Sequence, residues 1–312
     1  MSGRRCAGSP GTPGLPRSTP SRLRTTRWRR SCGGYDGVLV AGDVFDRHQA
    51  DAAALAAFQD ALGRFHDAGL ATVVVSGNHD AESPLPQKLY LPPSVRWLDA
   101  HASETVHWED LGIAVHGQSI AEAHDLRDIA AGYPRRIPGL VNMGLLHTSL
   151  HGAWSRKTCA PTGVRTLAAA GYDYWALGHV HHRLAPAPGL RAVYAGNAHA
   201  RGPAESGGRG YAELLIAPAG DGGEGSGGAV AVRHVDTAPV RYEPLRVSRA
   251  ETAEAEIRAR FAAVAPPSGA GAVVWTLSGP AGEDLLRLAR DLADELGRPE
   301  FMVCDGPAER PR

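Results

Sequence analysis

No apolar run in the 312 residues reaches the roughly 18 that a membrane-spanning helix needs, and no apolar stretch follows the arginines near the start. A membrane span and a secretory signal are therefore both unexpected, and the reading is a cytoplasmic chain. Cysteine is scarce: Cys6, Cys32, Cys159 and Cys304 lie far apart without a Cys-x-x-Cys pair. That spacing argues against a disulfide framework and against a thiolate zinc site. Net charge is also lacking, with 33 basic residues against 33 acidic ones. On its face this argues against a nucleic-acid-binding protein. The balance conceals two unlike segments, however. Residues 1–34 hold eight arginines and no Asp, Glu or His, which leaves 25 basic and 33 acidic residues and a net charge of −8 in the remainder.

What is present is ordinary soluble composition, 43% hydrophobic and 21% charged, enough to build a packed core. The first 34 residues are the exception. Prolines at 10, 13, 16 and 20 remove backbone donors and fix φ repeatedly, so neither a helix nor a central strand is expected there. This head reads as disordered, either a basic arm for an acidic partner or sequence foreign to the fold. From Tyr35 onward, short apolar runs alternate with helical patterns. Strands are expected at 38–41, 72–75, 95–98, 105–108, 113–116, 141–146, 174–177, 192–195 and 211–216. Helices are expected at 50–68 and 163–170, giving an α/β domain with a buried sheet over 35–240. Residues 218–228 are Gly-rich and suit a flexible loop. Strands at 230–235, 240–247 and 272–277 and helices at 251–264 and 283–296 follow, and residues 241–312 read as a small α+β cap domain.

Four apolar runs end in groups able to bind hard or borderline metal ions. They are Gly42-Asp43-Val44-Phe45-Asp46, Gly77-Asn78-His79-Asp80, Leu145-Leu146-His147 and Leu177-Gly178-His179-Val180-His181. Ligand sites in open α/β sheets gather beyond the carboxyl ends of strands, so these four ends are expected to converge. Carboxylate, amide oxygen and imidazole together suit manganese, iron or zinc. Two such ions, roughly 3.5 to 4 Å apart, would serve phosphoryl displacement. Each motif alone has a plainer reading: Asp43 and Asp46 as turn or cap residues, Asn78 and Asp80 as turn formers, each His as a satisfied polar residue. Gly-Asn-His-Asp is rarer, expected by chance in roughly one chain of this length in a thousand. The ordered set of four outweighs the plainer readings.

In that order, these motifs resemble the calcineurin-like metallophosphoesterases, and within them the bacterial DNA-repair exonucleases of the SbcD type. Residues 170–181 and Tyr194-Ala195-Gly196-Asn197 are especially similar to that branch. The resemblance covers about 35–240 and extends more faintly into the C-terminal region. It implies a four-layer α/β/β/α sandwich with a small α+β cap. Asp43 would bridge two divalent ions, manganese by preference, with Asn78, His147 and His179 completing one position and His181 serving the other. His79 would act as general acid and Asp46 would orient it. Water, rather than a protein side chain, would be the nucleophile. Arg47 would contact phosphate, although a solvated arginine at a helix start fits that position equally. The implied partners are DNA, a coiled-coil ATPase and a second copy of the chain.

One departure bears on activity. The family's first motif, Asp-x-His on a first central strand, is absent, since no Asp precedes Asp36 and no His precedes His48. The second ion would keep only Asp43 and His181, and the strand at 38–41 would be left with an unpaired edge. We therefore expect residues 1–34 to be the product of a wrong start or a shifted reading frame. Translating the upstream DNA in the other two frames tests this, and finding no strand, Asp-x-His and helix before the Tyr35 codon would sink it. The chain as written should then show weak or no nuclease activity. Two alternatives stand beside the exonuclease. One is a catalytically impaired metal-binding subunit of an ATPase-nuclease assembly, which would hold one ion or none. The other is a phosphoesterase of a phosphoprotein or small ester.

Overall fold

The computed structural model describes residues 34–46, 52–150, 158–217, 229–265, 271–279, 282–298 and 300–305. Residues 1–33 of the basic head, Arg47 and the Gly-rich loop expected at 218–228 lie outside the described residues. The chain begins with β1 (Gly37–Ala41), α1 (Ala52–Asp67), β2 (Ala71–Val75) and β3 (Val95–Trp97). These strands form a parallel sheet in the order β1-β2-β3. Among the described residues β1 is hydrogen-bonded to β2 alone, so it forms an edge. Next come β4 (Glu104–Trp108), β5 (Ile113–Gly117), β6 (Val141–His147), α2 (Val164–Ala169), β7 (Tyr174–Gly178) and β8 (Ala192–Tyr194). They make a second sheet in sequence order, parallel except for the antiparallel pair of β4 and β5.

Side-chain alternation explains why the two sheets stack. Along β2, Val73 and Val75 face one core, together with Val115, Met143, Leu145 and Tyr174 of the second sheet. Val74 points the opposite way, into a cluster with Phe58, Leu62 and Phe65 of α1. Those three helix residues are spaced by four and three, which puts them on one face. On the far side of the second sheet, Leu146, Trp175, Leu177 and Tyr194 pack with Leu167 of α2. The layers run α1, sheet, sheet, α2, the expected α/β/β/α sandwich. The core between the sheets is filled mainly by Val, Leu and Ile, with Met143 and Tyr174 among them.

An antiparallel hairpin of β9 (Gly210–Ile216) and β10 (Val230–Asp236) lays Leu214, Ile216 and Val230 over the same inter-sheet core. The chain continues through β11 (Val240–Arg246), α3 (Ala253–Ala263), β12 (Ala272–Ser278), α4 (Gly282–Glu295) and β13 (Phe301–Asp305). These strands form a parallel sheet in the order β11-β12-β13. Its cluster is separate from the others: Ile257 and Phe261 of α3 and Leu285, Ala289 and Leu292 of α4 pack around Trp275 and Phe301. No helix among the described residues is long and apolar enough to cross a membrane.

Candidate metal centre

The carboxyl ends of β1, β2, β6 and β7 meet at one place. Two glycines make the approach close enough. A Cβ at Gly178 would run into the carbonyl of Ala41, and one at Gly77 would run into Asp43 Oδ1. Only a residue without a side chain lets the last turns of these strands touch. Asp43 and His179, each just past a strand end, have left-handed backbones with φ of 54° and 98°. Such residues cost about 1 to 3 kcal/mol apiece and persist where the surroundings over-determine them, typically at functional sites.

His147, the last residue of β6, is fully buried. Its Nδ1 donates to the Ala41 carbonyl at 2.8 Å, which puts the ring proton on that side. Its Nε2 then presents a lone pair, and around it stand Asn78 Oδ1 at 3.1 Å, His179 Nδ1 at 3.3 Å and Asp43 Oδ2 at 3.5 Å. Asn78 Oδ1 and His179 Nδ1 are themselves 3.1 Å apart. The other oxygen of Asp43 accepts from the His79 N–H at 3.0 Å. Four of the five residues expected to bind metal, Asp43, Asn78, His147 and His179, are thus brought together. Their facing atoms are nearly all acceptors, and such crowding is relieved by a cation in the middle. Oxygen and imidazole donors of this kind fit a divalent transition ion.

The fifth residue, His181, is drawn to a different partner. Its Nδ1 donates to Glu205 Oε1 at 2.6 Å. Glu205 Oε2 accepts from Asn197 Nδ2 at 3.0 Å and from the Arg201 N–H at 2.8 Å. Burial pushes the Glu205 carboxyl up, but the bonds from Arg201, His181 and Asn197 outweigh it and hold it below the usual range. The buried guanidinium of Arg209 donates to the His181 carbonyl, which fixes this turn. With Nδ1–H committed to Glu205, Nε2 is the ring nitrogen of His181 that could bind an ion, and a carboxylate behind a histidine is common at metal sites.

The expected acid and its orienting carboxylate are also adjacent. His79 Nδ1 lies 3.3 Å from Asp46 Oδ1, and both side chains are partly exposed. Asp46 Oδ2 pairs with Arg201, which is more than half exposed at the rim. Arg201 therefore joins two parts of the site, through its side chain to Asp46 and through its N–H to Glu205.

Sequence reasoning missed three further residues. Asp80, a plain turn former by its sequence context, is buried, and its carboxylate accepts from Phe45 N at 2.8 Å, Gly77 N at 2.9 Å and Val44 N at 3.2 Å. It laces the loop after β1 to the loop after β2. Burial, with Asp43's charge added, raises its pKa to about 6 against the pull of those three N–H groups. Cys159 is the second: its thiol lies with ring nitrogens of His147 and His179, all three ligand atoms within 4.8 Å of one another. Burial, with the charges of Asp43 and Asp125, pushes that thiol up to about 12. Glu205 is the third, and its only signal was its closeness to the Tyr194–Asn197 stretch.

Residues 20–183 match the calcineurin-like phosphoesterase family, and the match takes in residues 20–34 of the basic head. A protein of Bacillus subtilis (strain 168), described as the uncharacterized metallophosphoesterase YhaO, is 29% identical over 180 residues, 56% of this chain and 44% of that protein. The chain thus spans less than half the length of the curated relative it matches. With more than half of its residues in that family match and the four strand-end motifs folded into one centre, this chain belongs to the calcineurin-like phosphoesterases.

Proposed function

We propose that this protein hydrolyses phosphodiesters with two divalent ions, and that its substrate is a DNA end. The observation that carries the hydrolytic reading is the crowding of Asp43 Oδ2, Asn78 Oδ1 and His179 Nδ1 around the lone pair of His147 Nε2, within 3.1 to 3.5 Å. Asp43, Asn78, His147 and His179 would hold one ion; Asp43 and His181 would hold the other, where manganese suits the oxygen and nitrogen donors. Ions there would offset charge building on a phosphoryl group and make a neighbouring water more acidic.

The protein's own groups do the rest. A protonated His79 donates Nδ1–H to Asp46 and keeps Nε2–H for the leaving oxygen, a general acid held in one orientation. Arg201, exposed at the rim and paired with Asp46, is placed to exchange that partner for a phosphate oxygen, the task the sequence suggested for Arg47. The DNA reading rests on the resemblance of residues 170–181 and 194–197 to the exonuclease branch. A coiled-coil ATPase partner and self-association belong to the same reading.

The test compares release of nucleotides from linear duplex DNA with cleavage of a small aryl phosphodiester. It uses the full chain with manganese and an Asp43→Asn control. Slow DNA cleavage that vanishes in the control supports the proposal, slow because the second ion has few ligands. Cleavage of the aryl ester alone moves the substrate to a small phosphoester. No Asp43-dependent cleavage of either substrate overturns hydrolysis by this chain and leaves the catalytically impaired metal-binding subunit as its reading.

A further inference from the structure

Among the described residues, three that are not glycine have left-handed backbones: Asp43, His179 and Ala160, the last with φ of 38°. The first two belong to the centre described above. The third follows Cys159 directly. Its strain is held from both sides, since its N–H donates to the Asp125 carbonyl at 2.6 Å and its carbonyl accepts from Thr148 Oγ1 at 2.7 Å. Cys159 is strapped in the same way. Its N–H donates to Ser149 Oγ at 2.9 Å, and its carbonyl accepts from the Ser149 N–H at 2.8 Å and from Ser149 Oγ at 3.1 Å. Main-chain and hydroxyl bonds thus lace this segment to the residues just after His147. What the segment delivers to the centre is one side chain.

That side chain is a fully buried thiol whose Sγ lies with ring nitrogens of His147 and His179 inside a 4.8 Å group. Among the described residues the thiol makes no hydrogen bond, whereas the thiol of Cys304 donates to the Trp275 carbonyl at 3.5 Å. Sulfur with two imidazole nitrogens is the donor set of zinc, cobalt or iron; manganese and magnesium prefer oxygen. Sequence spacing could not show this, because a single cysteine 12 residues beyond a histidine matches no ligand pattern.

We propose that Cys159 is a thiolate ligand of the ion held by His147 and His179, and that it makes this position select zinc over manganese. The inference rests on the metal-centre reading above and sharpens it at one of the two ion positions. On binding, the S–H bond breaks, the sulfur lone pair forms a bond to the ion and the proton leaves to solvent, so no oxidant or reductant is required. The position shared by Asp43 and His181 keeps oxygen and nitrogen donors.

The test loads the full chain, with Cys6, Cys32 and Cys304 changed to serine, with cobalt(II) and records its absorption spectrum. The expected result is a near-ultraviolet sulfur-to-cobalt charge-transfer band alongside the visible ligand-field bands. Changing Cys159 to serine as well should abolish the charge-transfer band and leave cobalt bound. X-ray absorption of the zinc-loaded, unsubstituted chain needs no variant, and should contain one sulfur neighbour at about 2.3 Å. Visible cobalt bands without a charge-transfer band, or zinc without sulfur, overturn the role of Cys159 and leave the metal centre standing. Absence of cobalt binding in the unsubstituted chain overturns both.

Discussion

The ring of His147 donates from Nδ1 to the carbonyl oxygen of Ala41 at 2.8 Å, joining the end of β6 to the end of β1 across the two sheets. This bond settles which face of the ring meets Asn78 and His179. In the metal-free chain, long-range nitrogen–proton NMR of the histidine rings should therefore find His147 as the Nδ1–H tautomer. A proton on Nε2 instead would mean that the ring faces the centre as a donor and does not offer a ligand atom.

In the proposed reaction His79 and Asp46 would act once the ions are bound. Asp46→Asn should lower kcat by about 10- to 100-fold and His79→Ala by about 100-fold or more, both with little change in ion affinity. Steady-state kinetics with calorimetric ion titration checks this. Lost ion binding in either variant would place these residues among the ligands and not in proton transfer.

Asp80 tests the frame beneath the ligands. Replacing it with alanine leaves three backbone N–H groups of the two loops without their acceptor. The expected loss is about 3 kcal/mol, roughly 5 °C in Tm for a chain of this size, together with weaker ion binding. Thermal melting followed by circular dichroism measures it. An unchanged Tm would show that the loops hold their positions without the carboxylate.

Glu205 stands behind His181 as Ala41 stands behind His147. Glu205→Gln should weaken binding of the second ion by about 10- to 100-fold and leave the first ion unaffected. Competitive manganese titration separates the two. Equal weakening at both positions, or none at either, would remove Glu205 from this role.

The sequence made the sandwich legible because its runs are short, strongly apolar and closed by polar turns. The strand expected at 141–146 runs to His147, and the helix expected at 50–68 spans Ala52–Asp67. The candidate ligands stood out for the same reason, since each sits just past one of those runs. Asp80, Cys159 and Glu205 were not. Asp80 works through N–H groups 35 and 36 positions away, which no local pattern records. Cys159 reaches the centre by a strap to Ser149, and Glu205 comes from a Gly- and Ser-rich stretch that reads only as loop. The strand β13 also escaped notice, its five residues lying close after a helix stop.

The most direct test of the metal centre is calorimetric titration of the metal-free 312-residue chain with zinc, beside a His147→Ala variant whose fold is verified by circular dichroism. One tight zinc per chain is expected, weakened by at least about 100-fold in the variant. No zinc binding by the unsubstituted chain, or equal affinity in the variant, would contradict a centre built on Asp43, Asn78, His147 and His179.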